Sequence, residues 1–302
     1  MKYIFILLIL AGKLPAQNTW VSQTAPSLQP LYGVYFIDAN TGIACGSDGA
    51  IFHTIDGGKN WSEQTSGTNY RLHSVFMTSS TSGTIVGRDG AILHTINGGA
   101  SWQLQESPSK LQPLLATFFR DSLDGYAVGW YGTIIHTADG GEHWHAQKSE
   151  VTTFLRSIYF DGNFGLIAGE KGTMLRTTNS GKNWELIESE TAENLTGVCF
   201  TGSHIAIAVG DKGTIVRSID VGKSWHCIEN LERNNLRGVS FAGKIGTIVG
   251  ESGIILGSID GGLHWKKESS NTATHLLAVH RIDEKHAVAV GLNGTILRKE
   301  EK

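Results

Sequence analysis

The chain has 302 residues, 40% of them apolar, with 38 glycines, only 5 prolines and a formal net charge of −3. That apolar content supports a core and excludes a disordered chain, and the slight acidity removes the basic face that nucleic-acid binding needs. Many glycines with few prolines and moderate charge suit short strands joined by tight turns, enough for one large all-β domain.

In chain order, Lys2 comes first, then the apolar run Y-I-F-I-L-L-I-L-A-G at residues 3–12, then K-L-P-A-Q. A positive start before an apolar run too short to span a bilayer comfortably reads as an export signal over residues 1–17, cleaved near Ala16 or Gln17. A retained anchor is the alternative. No cysteine lies just after the run, which argues against a lipid anchor. Residues 18–302 contain no other stretch able to span a membrane and read as a single domain, expected to be monomeric. The chain has three cysteines, Cys45, Cys199 and Cys227, an odd count that makes a poor disulfide framework. All three read as packed thiols.

Trp20 follows, and then a unit that repeats to the end. Residues 31–37, 41–46 and 50–55 read as strands, with Ser47-Asp48-Gly49 as the turn between the last two and a fourth strand opening at Trp61. The turn before that fourth strand is an Asp-box, [ST]-x-[DN]-x-G-x-x-W. Its acid or amide is Asp56, Asn97, Asp139, Asn179, Asp220 and Asp260 in six copies, closed by Trp61, Trp102, Trp144, Trp184, Trp225 and Trp265. The tryptophans are 41, 42, 40, 41 and 40 residues apart. In each box the Asp or Asn accepts bonds from turn N–H groups, glycine takes the left-handed backbone and tryptophan covers the hairpin. Four antiparallel strands per unit of about 40 residues is a propeller pattern.

Leading leucines at Leu31, Leu72, Leu114, Leu155, Leu195, Leu236 and Leu276 make seven inner strands. The last unit stops after its third strand, and Trp20 lies 41 residues before Trp61 with no box in front of it. The N-terminal strand from Trp20 to Thr24 therefore completes the last blade. The expected fold is a seven-bladed β-propeller with 3+1 closure, which pairs two strand edges that would otherwise stay open.

Alternating strand direction puts the Asp-boxes on one rim. The interblade links and the turns between second and third strands share the other, where the sequence varies. After the leading leucines it reads Tyr32, His73, Leu115, Arg156, Thr196, Arg237 and Leu277. A variable loop face on a regular scaffold is where binding is expected. Trp130 is the one tryptophan outside the repeat register, and with Tyr131 it occupies a tight turn on this rim. The pair reads either as a contact surface or as packing on a neighbouring loop. Arg71, Arg88, Arg156 and Arg237 read either as a cationic patch for carboxylates or as separate charges partly paired with Asp89, Glu170 and Glu251. His53, His94 and His136 recur at a position that later holds Arg176, Arg217 and Arg298, which points to a structural role. His143-x-His145 places two imidazoles on one side of a strand with no further ligand evident. No metal or cofactor is expected.

The repeated G-x-x-G-x-I-x-[HR]-[ST]-x-[DN]-x-G-x-x-W, with inner strands L-[RHY]-x-[VI]-x-F, resembles the photosystem II stability/assembly factor family over essentially the whole chain after the signal. The resemblance implies an exported seven-bladed propeller that acts as a non-catalytic assembly chaperone and carries an arginine cluster near its axis. Arg156 and Arg237 match the arginine of the inner-strand motif, while Tyr32, His73, Leu115, Thr196 and Leu277 depart from it. The Asp-box also resembles that of sialidases. Those are six-bladed, and their arginine-isoleucine-proline motif is absent near residue 30, which reads Q-P-L-Y-G. The links from each tryptophan to the next leading leucine are also uniform, 11 residues or once 12, with none lengthened to build a pocket. The expected function is protein binding at the variable rim, in assembly or stabilisation of an envelope or thylakoid complex. The expected partner is a membrane-complex subunit, and the expected location is the periplasm, the exterior or the thylakoid lumen. A glycan-binding or sialidase-like propeller is the alternative.

Overall fold

The computed structural model describes residues 19–109, 111–202 and 204–300. The segment read as an export signal, 1–17, lies outside them. Seven four-stranded antiparallel sheets form the blades of a propeller, six of them ordered inner to outer along the chain. Blade 1 consists of Leu31–Phe36, Gly42–Gly46, Ile51–Thr54 and Ser62–Gln64. All seven inner strands begin at the expected leucines, and each of those leucines is fully buried. The core lies between blades: Leu31 and Phe52 of blade 1, for example, pack with Val288, Val290 and Ile296 of blade 7.

Each Asp-box is built around one hydroxyl. Thr54 Oγ1 donates to Asp56 Oδ1 at 2.9 Å and accepts the Gly58 N–H at 2.9 Å. Asp56 then accepts the Asn60 N–H, and bonds from the Asn60 backbone and side chain hold its pKa at about 2. The box glycine N–H likewise donates to the hydroxyls of Thr95, Thr137, Thr177, Ser218 and Ser258. The box tryptophan packs edge-on against an inner-strand phenylalanine, Phe36 on Trp61, Phe119 on Trp144 and Phe241 on Trp265. The recurring His/Arg position ties the Asp-box rim together. His136 bonds Asp124 at 2.8 Å, and Arg176 Nε and Arg217 Nε donate to the carbonyls of Val221 and Gly261 in the next blade's box.

Blade 7 is made of Leu276–Arg281, Ala287–Gly291 and Ile296–Glu300, with Thr19–Gln23 as its outer strand. Thr19 pairs with Glu300 and Gln23 with Ile296. Trp20 is 2% exposed and packs with Val249 and Ile255 of blade 6 and Ala287 and Leu297 of blade 7. Its Nε1–H donates to Glu268 Oε2 at 2.8 Å, and Lys299 Nζ donates to the same carboxylate at 2.8 and 3.0 Å. Glu268 belongs to the outer strand of blade 6, Lys266–Glu268. One carboxylate therefore joins blade 6 to both ends of the chain in blade 7.

The cysteines are free. Cys45 and Cys199 are buried, as expected, and burial pushes both thiols well above the usual range. Cys227 corrects the reading of three packed thiols: it is exposed, because it sits on the two-residue outer strand His226–Cys227 of blade 5.

Removing the carboxylate in Glu268→Ala leaves a buried ammonium and a buried indole N–H without their partner. Urea unfolding should record a loss of about 3–5 kcal/mol. The double variant Glu268→Leu/Lys299→Met, which removes both charges, should lose clearly less than the single one.

Candidate functional site

The variable rim is built by one device used seven times. Each inner strand slips register one residue after its leading leucine: between Leu31 and Gly33, Leu72 and Ser74, Leu114 and Ala116, and so on to Leu276 and Ala278. A β-bulge takes its extra residue out of the ladder and re-aims the side chain. Those extra residues are Tyr32, His73, Leu115, Arg156, Thr196, Arg237 and Leu277, and all seven line the mouth of an axial cavity of about 280 Å³. The following position is small, Gly33, Ser74, Ala116, Ser157, Gly197, Gly238 or Ala278, because seven inner strands crowd the axis there. A Cβ on Gly33 would lie 3.0 Å from both Cys45 Sγ and the His73 carbonyl oxygen.

The turns between second and third strands surround the mouth. Their second residue has φ between 54° and 56° in every blade, non-glycine each time. The glycine that follows has no such freedom of replacement. A Cβ on Gly49 would lie 1.9 Å from the Thr68 carbonyl oxygen, and the same approach recurs at Gly132, Gly172, Gly213 and Gly253. This closeness lets the glycine N–H reach the link entering the next blade, as from Gly49 to the Tyr70 carbonyl and Gly132 to that of Thr153, both at 2.8 Å.

The four arginines divide into two groups. Arg156 pairs with Glu170 of its own turn. Arg237 pairs with Glu251 and, at 3.1 Å, with Asp211 of the preceding blade. Asn194 and Asn235 bond the far oxygens of Asp211 and Glu251, at 2.8 and 3.2 Å. Burial opposes the charge on Glu251, but Arg237 and Asn235 outweigh it and hold the carboxyl below the usual range. Blades 4 to 6 thus present an internally paired network of two arginines and three carboxylates. Arg71 and Arg88, by contrast, flank a smaller cleft of about 190 Å³ at the edge of the mouth with Tyr70, Asp48 and Asp89. The Arg88–Asp89 pair is loose, 3.8 Å, and exposed. Arg71 has no carboxylate partner among the described residues; its guanidinium lies 5.2 Å from the Tyr32 ring centroid. Tyr32 meets His73 edge-on at 5.9 Å, and His73 Nδ1 bonds the Leu114 carbonyl at 2.8 Å. Burial lowers the His73 pKa, and Arg71 and Arg88 push it further down, so the imidazole is neutral near pH 7.

Blade 3 resolves the Trp130–Tyr131 alternatives differently for the two residues. Trp130 stacks on Phe154 at 4.5 Å with 4° between ring planes, so it packs on the link to the next blade. Tyr131 meets the same ring edge-on and remains 58% exposed. Phe154, Tyr70 and Asp211 were not among the sequence candidates. Phe154 precedes Leu155 at the register of Asn194 and Asn235, where those blades use an amide. An aromatic there opposite an aromatic turn was the available signal.

Below the bulges, the throat is closed by rings. Tyr35, Phe76, Phe118 and Tyr159 contact in sequence at 4.6, 5.1 and 4.8 Å, and His280 abuts Tyr35 at 4.7 Å. Burial within the ring of blades lowers the His280 pKa to about 4, against a bond with the Phe36 backbone, and raises that of both tyrosines. His143 lies in the Asp-box rather than on a strand, bonded to Asp139 at 2.8 Å; only His145 begins the strand His145–Gln147. Asp139, Glu142 and His143 offer ligand atoms within 4.8 Å of one another, but all three are exposed and both Asp139 oxygens already accept bonds.

A family model described as photosynthesis system II assembly factor YCF48 matches residues 13–113, 110–193 and 184–301. No curated protein matches the chain. Among solved structures, one described as YCF48 bound to D1 peptide is 22% identical with a TM-score of 0.80, covering 98% of this chain and 100% of its own. YCF48 from Cyanidioschyzon merolae is 17% identical with a TM-score of 0.77, covering 93% and 98%. A virginiamycin B lyase from Staphylococcus aureus is 12% identical with a TM-score of 0.79, covering 95% and 99%. At these identities the structural likeness shows the propeller alone, and it extends to an enzyme, so the fold does not decide activity.

The throat makes stability depend on pH. The His280 pKa is about 4 folded against 6.5 unfolded, so its contribution is complete above pH 6.5 and is lost as pH falls towards 4. The loss is as much as ~3 kcal/mol. Urea unfolding of His280→Phe, which extends the ring of aromatics, should show a clearly flatter pH dependence across that window.

Proposed function

The chain belongs to the photosynthesis system II assembly factor YCF48 family, and from that premise we propose that it is an exported, non-catalytic protein that binds a segment of a membrane-complex subunit at its mouth during assembly. The observation that carries this reading is the asymmetry of the mouth. Arg156 and Arg237 are already occupied by Glu170, Asp211 and Glu251. In the cleft at the edge of the mouth, which Asp48 and Asp89 also line, Arg88 has only the loose Asp89, and Arg71 lies beside Tyr32 and Tyr70 with no carboxylate partner among the described residues. Arg71 over the Tyr32 ring, with Arg88 beside the same cleft, suits an extended polypeptide carrying a carboxylate. A related propeller described as YCF48 was solved with D1 peptide bound. Tyr131, at the edge of the same rim, adds an exposed aromatic contact.

Glycoside cleavage fits the mouth poorly. It requires one carboxylic acid that stays protonated and a second carboxylate free to act as nucleophile or base. The mouth acids of blades 4 to 6 are held by arginine or amide groups, and the Glu251 pKa is lowered rather than raised. Residues 1–17 act as the export signal in this proposal, delivering a monomer to the periplasm, the exterior or, in a photosynthetic source, the thylakoid lumen.

Crosslinking capture from native envelope should yield one membrane-complex subunit. Its captured segment should bind in titration with affinity that falls as salt rises. Arg71→Glu/Arg88→Glu should weaken it at least about tenfold, a change of roughly 1.4 kcal/mol. Trp130→Ala should act less, through loss of the Phe154 stack. Turnover of a sialoside, or a glycan-array hit without any captured protein, would sink the reading.

A further inference from the structure

The Asp-box rim takes no part in the mouth, and it is not uniformly polar. The residue between the box hydroxyl and its acid is isoleucine in four blades. In ring order these are Ile219 and Ile259 of blades 5 and 6, then Ile55 and Ile96 of blades 1 and 2. They are 63%, 81%, 73% and 75% exposed. Blades 3 and 4 carry Ala138 and Thr178 there. The side-chain bonds of the box come from its hydroxyl and its acid or amide, and none from this residue. Isolated exposed apolar side chains are ordinary on a folded surface. Four at one repeat position, all on one side of one rim, form an arc, and its centre is blade 7.

Blade 7 has no Asp-box. Where a box would deliver the chain into the outer strand, the chain itself enters at Thr19, which pairs with Glu300 at the rim end of the third strand. Residues 13–18 are all that separate Thr19 from the apolar stretch 3–12. Six residues reach at most about 20 Å. Thr19 itself stands at the middle of the apolar arc.

We propose that this arc is a membrane-apposed face, with Ile219, Ile259, Ile55 and Ile96 seated in the interfacial zone of a lipid bilayer and the mouth turned away from it. The occupant is lipid because the most apolar stretch of the sequence, residues 3–12, precedes Thr19 at the centre of the arc by only six residues. The contact is apolar and needs no charge complementarity, in keeping with a net charge of −3. Removing residues 1–17 takes away the tether and leaves the arc as a weak peripheral contact. The mouth lies on the opposite rim, so this inference does not rest on the peptide-binding proposal.

Depth-dependent quenching tests it on the full chain, reconstituted with phosphatidylcholine vesicles containing brominated lipid. In a Cys227→Ser background, bimane attached at Ile55→Cys or Ile259→Cys should be strongly quenched, and bimane at Tyr131→Cys should not. Equal quenching at both rims, or none at the arc, overturns the proposal. A second measurement uses the chain recovered from its host envelope. Replacing the four isoleucines by serine should cut vesicle flotation about fivefold or more, with no change in melting and little dependence on salt. Undiminished flotation overturns the proposal. So does self-association that the same substitutions abolish without any binding to vesicles, which would assign the arc to a second copy.

Discussion

A ring of blades is stable only when its last blade meets its first, because every sheet here hides apolar side chains against the sheets on both sides. The seam is therefore the constraint on which the remaining structure depends. It is made by pairing Thr19–Gln23 with Ile296–Glu300, two segments at opposite ends of the domain. Closing so long a loop costs chain entropy that local hairpins do not. The seam offsets that cost with a buried tryptophan and with Glu268, whose carboxylate serves Trp20 and Lys299 at once. A buried ion pair adds little net stability, but it penalises any arrangement in which one partner is missing. It therefore suits a seam that has to close in one register.

With the ring closed, the fold fixes the backbone on both rims and leaves side chains free to differ. The bulge after each leading leucine moves one residue per blade out of the ladder and into the mouth. Seven independent positions then face one space. In blades 4 and 6 the bulge arginines are spent on pairs with Glu170, Asp211 and Glu251, while beside blades 1 and 2 Arg71 has no carboxylate partner among the described residues. Blade 3 replaces the network with the Trp130–Phe154 stack. The mouth is thus asymmetric although its scaffold is regular, and the asymmetry gives the symmetric fold a direction for binding.

Much of this was legible in order along the chain. The seven leading leucines, the six boxes and the displaced Trp20 set blade number, strand order and closure, because the hydroxyl, acid or amide and glycine that define each box bond one another within a few residues and so leave a local mark in the sequence. The candidate site was legible only as alternatives. Arg156 and Arg237 match the inner-strand motif of the family, and nothing in their spacing tells an open cation from one paired with Glu170 or Glu251. Trp130 stood out by being out of register, yet its partner Phe154 lies 24 residues on and belongs to another blade. The bulge itself was hidden, since a one-residue slip leaves the spacing of leucines unchanged.

By itself the sequence determined the architecture, because repeated local turn chemistry and the count of units leave one way to close the ring. Only the tertiary structure decided which mouth residues are open and which are spent, which rim the chain enters, and that the exposed isoleucines form an arc around that point. Those facts depend on which side chains from different blades share a space. Such distances are set by the geometry of the closed ring, where residues 40 positions apart become neighbours, and no local pattern encodes them.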